Sequence, residues 1–263
     1  MKFLKNFLSG RSDGSTLGTR LIYDFCADSH RGLLRSINED SYLALPEHGL
    51  WIVADGMGGH DQGERASRIA VQEIAKGMLE GKTLRDSIHS AHVAIRDAGG
   101  REAGGTAMGT TVVVARLVGL HYQIAWVGDS RAYVWDTSLR QLTIDHSYVQ
   151  MLLNAGMLTR EEAFVHPKKN VLLHALGLPP EANAPSVVDY TEGTLRIQDT
   201  LLLCSDGLHG EISDEQIKTI LSCTDNNTLL VKRLTDAALQ AGGRDNITII
   251  AISPVRLSES SQR

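Results

Sequence analysis

Short acidic motifs at the ends of apolar, strand-like runs are the feature that most constrains how this chain can fold. Carboxylates far apart in sequence, each placed at a strand end, can converge at one rim of a sheet, where hard oxygen ligands suit Mg²⁺ or Mn²⁺. Asp-Gly steps let the backbone come close to a bound group, because glycine has no Cβ. The five motifs are Asn38-Glu39-Asp40, Asp55-Gly56-Met57-Gly58-Gly59, Gly128-Asp129-Ser130-Arg131, Ser205-Asp206-Gly207 and Arg244-Asp245-Asn246.

The residues alone leave both a metal site and a purely structural explanation open. A single aspartate at a strand end is more often a turn former or a helix cap than a ligand. Five such motifs are harder to explain by turns alone. Arg35 precedes the first motif; its planar guanidinium could bind a phosphate bidentately, or it could be an ordinary surface charge. A metal beside an arginine suggests phosphoryl chemistry.

Composition argues against several classes of protein. The 263 residues allow one large domain or two small ones, and a hydrophobic fraction of 42% is ample for a core. The net charge of −5 argues against a nucleic-acid-binding surface. Cys26, Cys204 and Cys223 form no CxxC pair, which argues against a disulfide framework or a zinc knuckle and favours a reduced, cytoplasmic protein.

No segment of the sequence predicts insertion into a membrane. Residues 1–8 are basic and apolar but lack the core and the cleavage site of a signal peptide. No apolar run reaches transmembrane length. We expect residues 1–20 to be an N-terminal extension, with a weak docking or membrane-surface helix over residues 1–8 as the alternative, and residues 255–263 to be a disordered tail.

Apolar periodicity predicts a mixed α and β protein with antiparallel pairing at its centre. Neighbouring strands over residues 110–135 favour hairpins over a doubly wound parallel sheet. A mostly helical, polar insertion is expected at residues 145–178, and a flexible loop at 99–105. The predicted strands are 21–26, 50–54, 110–118, 121–127, 132–135, 200–204 and 246–252; the predicted helices are 63–79, 83–98, 213–221 and 228–240.

From about residue 21 to residue 253 the chain resembles the bacterial branch of the metal-dependent protein serine/threonine phosphatases of type 2C. Each motif is weak alone, but their shared order is specific. The motifs are Arg35-Ser36-Ile37-Asn38-Glu39-Asp40, Val53-Ala54-Asp55-Gly56-Met57-Gly58-Gly59-His60, Gly109-Thr110-Thr111, Gly128-Asp129-Ser130-Arg131-Ala132-Tyr133, Asp145-His146-Ser147, Cys204-Ser205-Asp206-Gly207-Leu208 and Arg244-Asp245-Asn246-Ile247-Thr248.

The resemblance implies a fold and a domain organisation. The expected fold class is α+β, a four-layer αββα sandwich of two antiparallel β-sheets flanked by helices, with a helical flap insertion at about residues 145–178. The catalytic domain is expected to span residues 21–254. Its site is expected at the end of the sandwich where the strand-end carboxylates gather.

The resemblance also implies roles for individual residues and a cofactor of two to three manganese or magnesium ions. Arg35 is expected to bind the substrate phosphate, and Asp40 to support the metal ligands through hydrogen bonds. The expected ligands are Asp55, which bridges two ions, the carbonyl of Gly56, Asp206, Asp245, Glu39 through a coordinated water, and Asp129, which joins Asp206 at a third ion.

The mechanism that the resemblance implies uses a water molecule activated by two metal ions, with no covalent intermediate. Met57 stands where some eukaryotic members carry a histidine, so the general acid is unassigned. We expect His60 and His146 to be structural. His30, His92, His121 and His209 have no ligand-like spacing and are expected to be surface or packing residues. Ser205 lacks the Gly-x-Ser-x-Gly setting of a nucleophile.

The expected partners are phosphorylated proteins and a cognate serine/threonine kinase, with no nucleic acid and no membrane insertion, and the protein is expected to be a monomer. A link to the control of secretion is an analogy with bacterial relatives. One alternative is a phosphatase-like binding module without turnover, but such modules usually lose metal-binding carboxylates. Another is a different two-metal hydrolase such as a phosphodiesterase, which the absence of His-rich ligand patterns disfavours.

Overall fold

Two antiparallel β-sheets form the centre of the molecule. The structure is a computed structural model that describes residues 20–58, 61–100, 108–178 and 187–257. The strands in these ranges are β1 (Arg20–His30), β2 (Asp40–Leu45), β3 (Leu50–Met57), β4 (Gly109–Thr110), β5 (Val112–Val118), β6 (His121–Val127), β7 (Arg131–Trp135), β8 (Leu139–Gln141), β9 (Asp189–Thr194), β10 (Thr200–Cys204) and β11 (Ile247–Leu257).

The strands form two separate sheets. One sheet, the β10 sheet, has the order β1-β11-β10-β7-β8, and the other, the β3 sheet, has the order β2-β3-β5-β6-β9 with β4 paired to β3. Every strand pair in both sheets is antiparallel. The helices are α1 (Gln62–Leu79), α2 (Leu84–Gly100), α3 (Tyr148–Asn154), α4 (Arg160–Phe164), α5 (Asp206–His209), α6 (Asp214–Ser222) and α7 (Asn227–Ala241).

Three apolar clusters hold four layers together. Ile52 of β3 packs with Ile74 and Ile88 in the cluster between the β3 sheet and helices α1 and α2. Trp51 of the same strand points the other way, into the cluster between the two sheets, which also contains Ile250. A third cluster joins the β10 sheet to α6 and α7. The predicted αββα sandwich of two antiparallel sheets is therefore confirmed.

Strand alternation explains why both faces of the central strands are buried. In β6, Tyr122, Ile124 and Trp126 face the other sheet, while Ala125 and Val127 pack toward α1 and α2. Side chains alternate across a strand, so a continuous apolar run supplies two cores at once. Because both faces of the central strands are buried, the strand ends, where the acidic motifs lie, are the places where a functional site can form.

Most predicted elements are present, but several bounds are wrong. The loop predicted at 99–105 is wrong at its start, because Gly99 and Gly100 complete α2, while residues 101–107 lie outside the described ranges. The predicted tail is wrong at 255–257, because β11 continues to Leu257 and pairs there with Arg20. Pairing with β1 orders this segment, a contact that local sequence does not report.

The flap (residues 145–178) contains less helix than predicted. Its helices are the short α3 and α4, and the remaining residues form turns and isolated bridges. Gly156, with φ of +66°, follows α3, and Pro167 follows α4, so both residues lie where a helix has ended. The structure also has β2, β8 and β9, which the sequence analysis did not predict.

Among the described residues, no helix has both the length and the apolar composition needed to cross a bilayer. The N-terminal segment 1–19 lies outside the described ranges.

The core between the sheets predicts a stability difference between two aliphatic truncations. Ile250 is fully buried there and Val118 is 65% exposed. We expect Ile250→Ala to lower the free energy of unfolding by about 2–5 kcal/mol, because it removes buried methyl groups and leaves a cavity. Val118→Ala should change it by less than about 0.5 kcal/mol. Chemical denaturation measures both, and equal effects would contradict this layering.

Candidate metal centre

The six predicted acidic residues come from five segments and meet at one end of the sandwich. Asp40 at the start of β2 lies directly opposite Asp55 near the end of β3. Asp206 follows β10, Asp245 precedes β11, and Asp129 lies in the turn between β6 and β7. We call Glu39, Asp40, Asp55, Asp129, Asp206 and Asp245 the carboxylate centre.

Like charges at close range shift the acidities of the centre. Enclosure by protein raises the pKa of Asp55 well above its usual value, and the neighbouring charges of Asp40, Asp206, Asp129 and Asp245 raise it further. Enclosure, followed by the charge of Asp245, raises the pKa of Asp206 to about 6. Such shifts are typical of carboxyl groups that share a site without enough cations to balance them.

Asp40 is positioned by hydroxyl groups. Ser205 Oγ and Thr248 Oγ1 donate to its Oδ2 at 2.8 and 2.7 Å. Burial raises the pKa of Asp40 to about 7, although these two hydrogen bonds act in the opposite direction. The backbone N–H of Thr248 in turn donates to Ser205 Oγ at 2.9 Å. Ser205 is therefore part of the support for Asp40.

Asp245 faces Arg35 in this arrangement. Arg35 Nη2 donates to Asp245 Oδ2 at 2.6 Å, and the backbone N–H of Asn246 donates to Asp245 Oδ1 at 2.8 Å. The Arg35 side chain is 48% exposed, so part of its guanidinium remains open to a ligand. A cleft of about 440 Å³ lies beside it, lined by Arg35, Ser36, Ile37, Glu39, Gly58, Asp61 and Glu64.

Asn246 fixes the segment that carries Arg35. Its side-chain amide donates to the carbonyls of Arg31 and Ile37 at 2.8 and 3.0 Å, and its Oδ1 accepts from the N–H of Glu39 at 2.7 Å. The motif Arg244-Asp245-Asn246 contains Asn246 but predicts no role for its side chain. Its function as a clamp between β11 and residues 31–39 depends on contacts across the fold, which the sequence does not report.

Gly56 occupies a space that admits no larger residue. A Cβ at this position would lie 2.1 Å from the carbonyl oxygen of Gly63 and 2.6 Å from that of Glu39. The backbone N–H of Gly56 donates to the same Glu39 carbonyl at 3.2 Å. Glycine is therefore required at position 56 because α1, β3 and residue 39 come too close to leave room for a side chain. This requirement does not depend on any ligand of the Gly56 carbonyl.

The turn that carries Asp129 (residues 128–130, the Asp129 turn) is held from several directions. His146 Nδ1 accepts from the N–H of Gly128 at 3.2 Å, and Thr111 Oγ1 lies 2.7 Å from Ser130 Oγ. The buried His209 Nε2 lies 3.0 Å from the carbonyl oxygen of Asp129. Burial, and then the charges of Asp206 and Asp145, raise the pKa of Asp129 well above its usual value.

The predictions for histidines have three outcomes. His146 is a structural hydrogen-bonder, as predicted. His209 is buried, within the prediction of a surface or packing residue, but its Nε2 also lies beside the carbonyl oxygen of Asp129, a contact that was not predicted. His60 lies outside the described residues. Local spacing gave no signal for this contact, since Asp129 lies 80 residues away from His209 in sequence.

The donor chemistry of the carboxylate centre fits a hard divalent cation. Glu39 Oε1, Asp40 Oδ1 and Asp206 Oδ1 are buried, and among the described residues they have no hydrogen-bond partner. Unpaired buried carboxylate oxygens are costly unless a cation or a proton compensates them. Within the described ranges, however, no three His, Cys, Asp or Glu side chains already surround a single ion position. Oxygen ligands and raised pKa values thus favour Mg²⁺ or Mn²⁺, with some side-chain adjustment.

The fold and this centre define a metal-dependent hydrolase class, and comparisons identify its family. A family model described as Protein phosphatase 2C matches residues 29–241. The serine/threonine phosphatase stp of Listeria welshimeri is 36% identical over 236 residues, which cover 84% of this chain and 92% of that protein. The chain therefore belongs to the protein phosphatase 2C family, and it is a metal-dependent protein serine/threonine phosphatase.

Solved structures agree with this assignment. The catalytic domain of the phosphatase PstP, in complex with two manganese ions, superposes with a TM-score of 0.79 at 32% identity, over 90% of this chain and 100% of that one. PppA of Pseudomonas aeruginosa, described as a key regulatory component of the T6SS, superposes with a TM-score of 0.76 at 30% identity, over 89% and 100%.

Charge repulsion in the centre predicts that removing one carboxylate stabilises the metal-free protein. With EDTA present, we expect Asp206→Asn to raise the free energy of unfolding by roughly 1–2 kcal/mol, a few degrees in Tm, because one enclosed charge is lost. The exposed Asp225 is the control, and Asp225→Asn should leave Tm unchanged. With Mn²⁺ added, the Tm of the wild type should exceed that of Asp206→Asn, since the wild type binds the ion more tightly. Differential scanning fluorimetry measures both series, and a lower Tm for Asp206→Asn in EDTA would contradict the prediction.

Proposed function

We propose that this phosphatase removes phosphate from phosphoserine and phosphothreonine with two or three manganese or magnesium ions held by the carboxylate centre. Asp55, the carbonyl of Gly56, Asp206 and Asp245 would hold two ions, with Glu39 acting through a coordinated water. Asp129 and Asp206 would hold a third. The observation that carries this proposal is the group of enclosed carboxylates whose raised pKa values and unpaired oxygens call for cations.

The ions, when bound, lower the pKa of water and neutralise developing charge on the phosphoryl oxygens. The chain itself supplies position and charge. Asp40, fixed by Ser205 and Thr248, orients neighbouring ligands. Arg35 binds the substrate phosphate through guanidinium nitrogens that its contact with Asp245 leaves free. The 440 Å³ cleft beside Arg35 gives the phosphorylated side chain a path to the centre.

We further propose a place for this activity in signalling. A protein phosphatase implies phosphorylated protein substrates and a serine/threonine kinase that it opposes, and we place both in the cytoplasm. The three cysteines Cys26, Cys204 and Cys223, none of them in a disulfide, support a reducing compartment. The likeness to PppA supports a link to the control of secretion. We propose that the protein acts as a monomer.

Hydrolysis assays test the metal-dependent activity directly. We expect wild-type protein to hydrolyse para-nitrophenyl phosphate and a phosphothreonine peptide with Mn²⁺ or Mg²⁺, and to lose this activity in EDTA. Asp206→Ala should lower kcat by roughly 10³-fold or more, because it removes a ligand of both proposed ion groups. Full activity of the Asp206→Ala variant would refute the assignment of Asp206, and inactivity of the wild type with every metal would favour the binding module.

The role of Arg35 predicts a separate kinetic signature. We expect Arg35→Ala to raise KM for a phosphothreonine peptide roughly tenfold or more, because a charge-assisted bidentate contact to phosphate is lost. Arg85, exposed on α2, is the matched control, and Arg85→Ala should leave KM within twofold of wild type. Steady-state kinetics at saturating Mn²⁺ separates KM from kcat. An unchanged KM for Arg35→Ala would rule out phosphate binding by this residue.

A further inference from the structure

His209 links two of the proposed metal ligands. It is the last residue of α5, and Asp206 is the first, so the two side chains are three residues apart and lie on neighbouring positions of one helical turn. His209 is 9% exposed and has no role in the mechanism above. Its ring lies against the Asp129 turn, where Nε2 is 3.0 Å from the carbonyl oxygen of Asp129.

The chemistry of this contact fixes the direction of the hydrogen bond. A carbonyl oxygen can only accept, so His209 Nε2 carries the proton and donates it. The side chain therefore holds the turn through a ring N–H whose position is fixed by its acceptor.

The other contacts of the Asp129 turn tie it to different parts of the fold. Thr111, just before β5, forms a hydrogen bond with Ser130, and His146, near the start of the flap, accepts one from the N–H of Gly128. The pairing of β10 with β7 ends at Cys204 and Arg131. These two residues are next to α5 and next to the turn, respectively. Beyond that pair, the bond from His209 is the one hydrogen bond that joins α5 to the turn within the described part of the chain.

We propose that His209 is a positioning residue that sets the distance between Asp206 and Asp129, and thereby the affinity of the third ion. This inference rests on the proposed function, which assigns those two carboxylates to that ion. Without the imidazole donor, the Asp129 turn keeps its contacts to β5 and to the flap but loses its connection to α5. The two other ions share Asp206, but their other side-chain ligands, Asp55 and Asp245, make hydrogen bonds that do not involve His209.

Calorimetric titration of the metal-free protein with MnCl₂ tests the inference without reference to turnover. We expect His209→Met, which removes the donor and keeps the volume, to weaken the lowest-affinity Mn²⁺ site roughly tenfold and the others less than twofold. His209→Gln, whose Nε2 can donate to the same carbonyl, should restore the affinity. Asp129→Ala should remove the lowest-affinity site, which identifies it.

His92 supplies a matched control for the loss of a buried histidine. It is 7% exposed and its Nδ1 accepts from the N–H of Gly177 at 3.2 Å, in a contact between α2 and the end of the flap. His92→Met should leave all Mn²⁺ affinities unchanged. If His209→Met does not fold, as judged by its Tm, His209→Asn takes its place, because the shorter amide does not reach the Asp129 carbonyl.

The outcomes separate the inference from the proposed function. Unchanged affinity at the lowest-affinity site in a folded His209→Met or His209→Asn protein would overturn the inference. Equal weakening of every site, or the same loss in His92→Met, would also overturn it, because it would show a general structural effect. Wild-type protein that binds Mn²⁺ but hydrolyses no phosphopeptide would instead reject the proposed function, and the calorimetric comparison would still decide the role of His209.

Discussion

Repulsion among enclosed carboxylates is the constraint to which the rest of this structure responds. Each of Asp40, Asp55, Asp129 and Asp206 has a pKa raised first by enclosure in protein, so the centre opposes folding whenever its charges are not balanced. Three apolar clusters on both faces of two sheets supply the stabilisation that offsets this cost. The sandwich is thus a rigid frame that holds mutually repelling groups close enough to share cations.

Neutral donors provide most of the positioning at this end of the molecule. Asp40 is held by the hydroxyls of Ser205 and Thr248, and the Asp129 turn by an uncharged histidine. Neutral hydrogen bonds orient a carboxylate but leave most of its charge available to a metal, whereas a lysine or arginine would compete with the ion. Arg35 is the exception, and its contact with Asp245 lies at the exposed rim of the cleft, where a phosphate can be reached.

The sequence predicted the layers and the members of the carboxylate centre better than it predicted the contacts between them. Apolar runs such as β6 and β10 were found because their periodicity is local, whereas β9, with an alternating half-buried face, and the three-residue β8 carry weak signals. Asn246 and His209 act through partners more than 70 residues away, beyond the range of any spacing rule. The helical content of the flap was overestimated because its polar pattern suits turns as well as helices.

The position of β11 in its sheet has a consequence for how this protein is made. β11 comes last among the described strands, yet it lies between β1 and β10 and is the sheet partner through which β1 joins the β10 sheet. During synthesis, β1 leaves the ribosome before β11 and has no sheet partner until β11 has emerged, so a strand edge stays exposed while the intervening elements are made. The emergence of β11, more than the formation of any single helix, therefore sets the moment at which this domain can close.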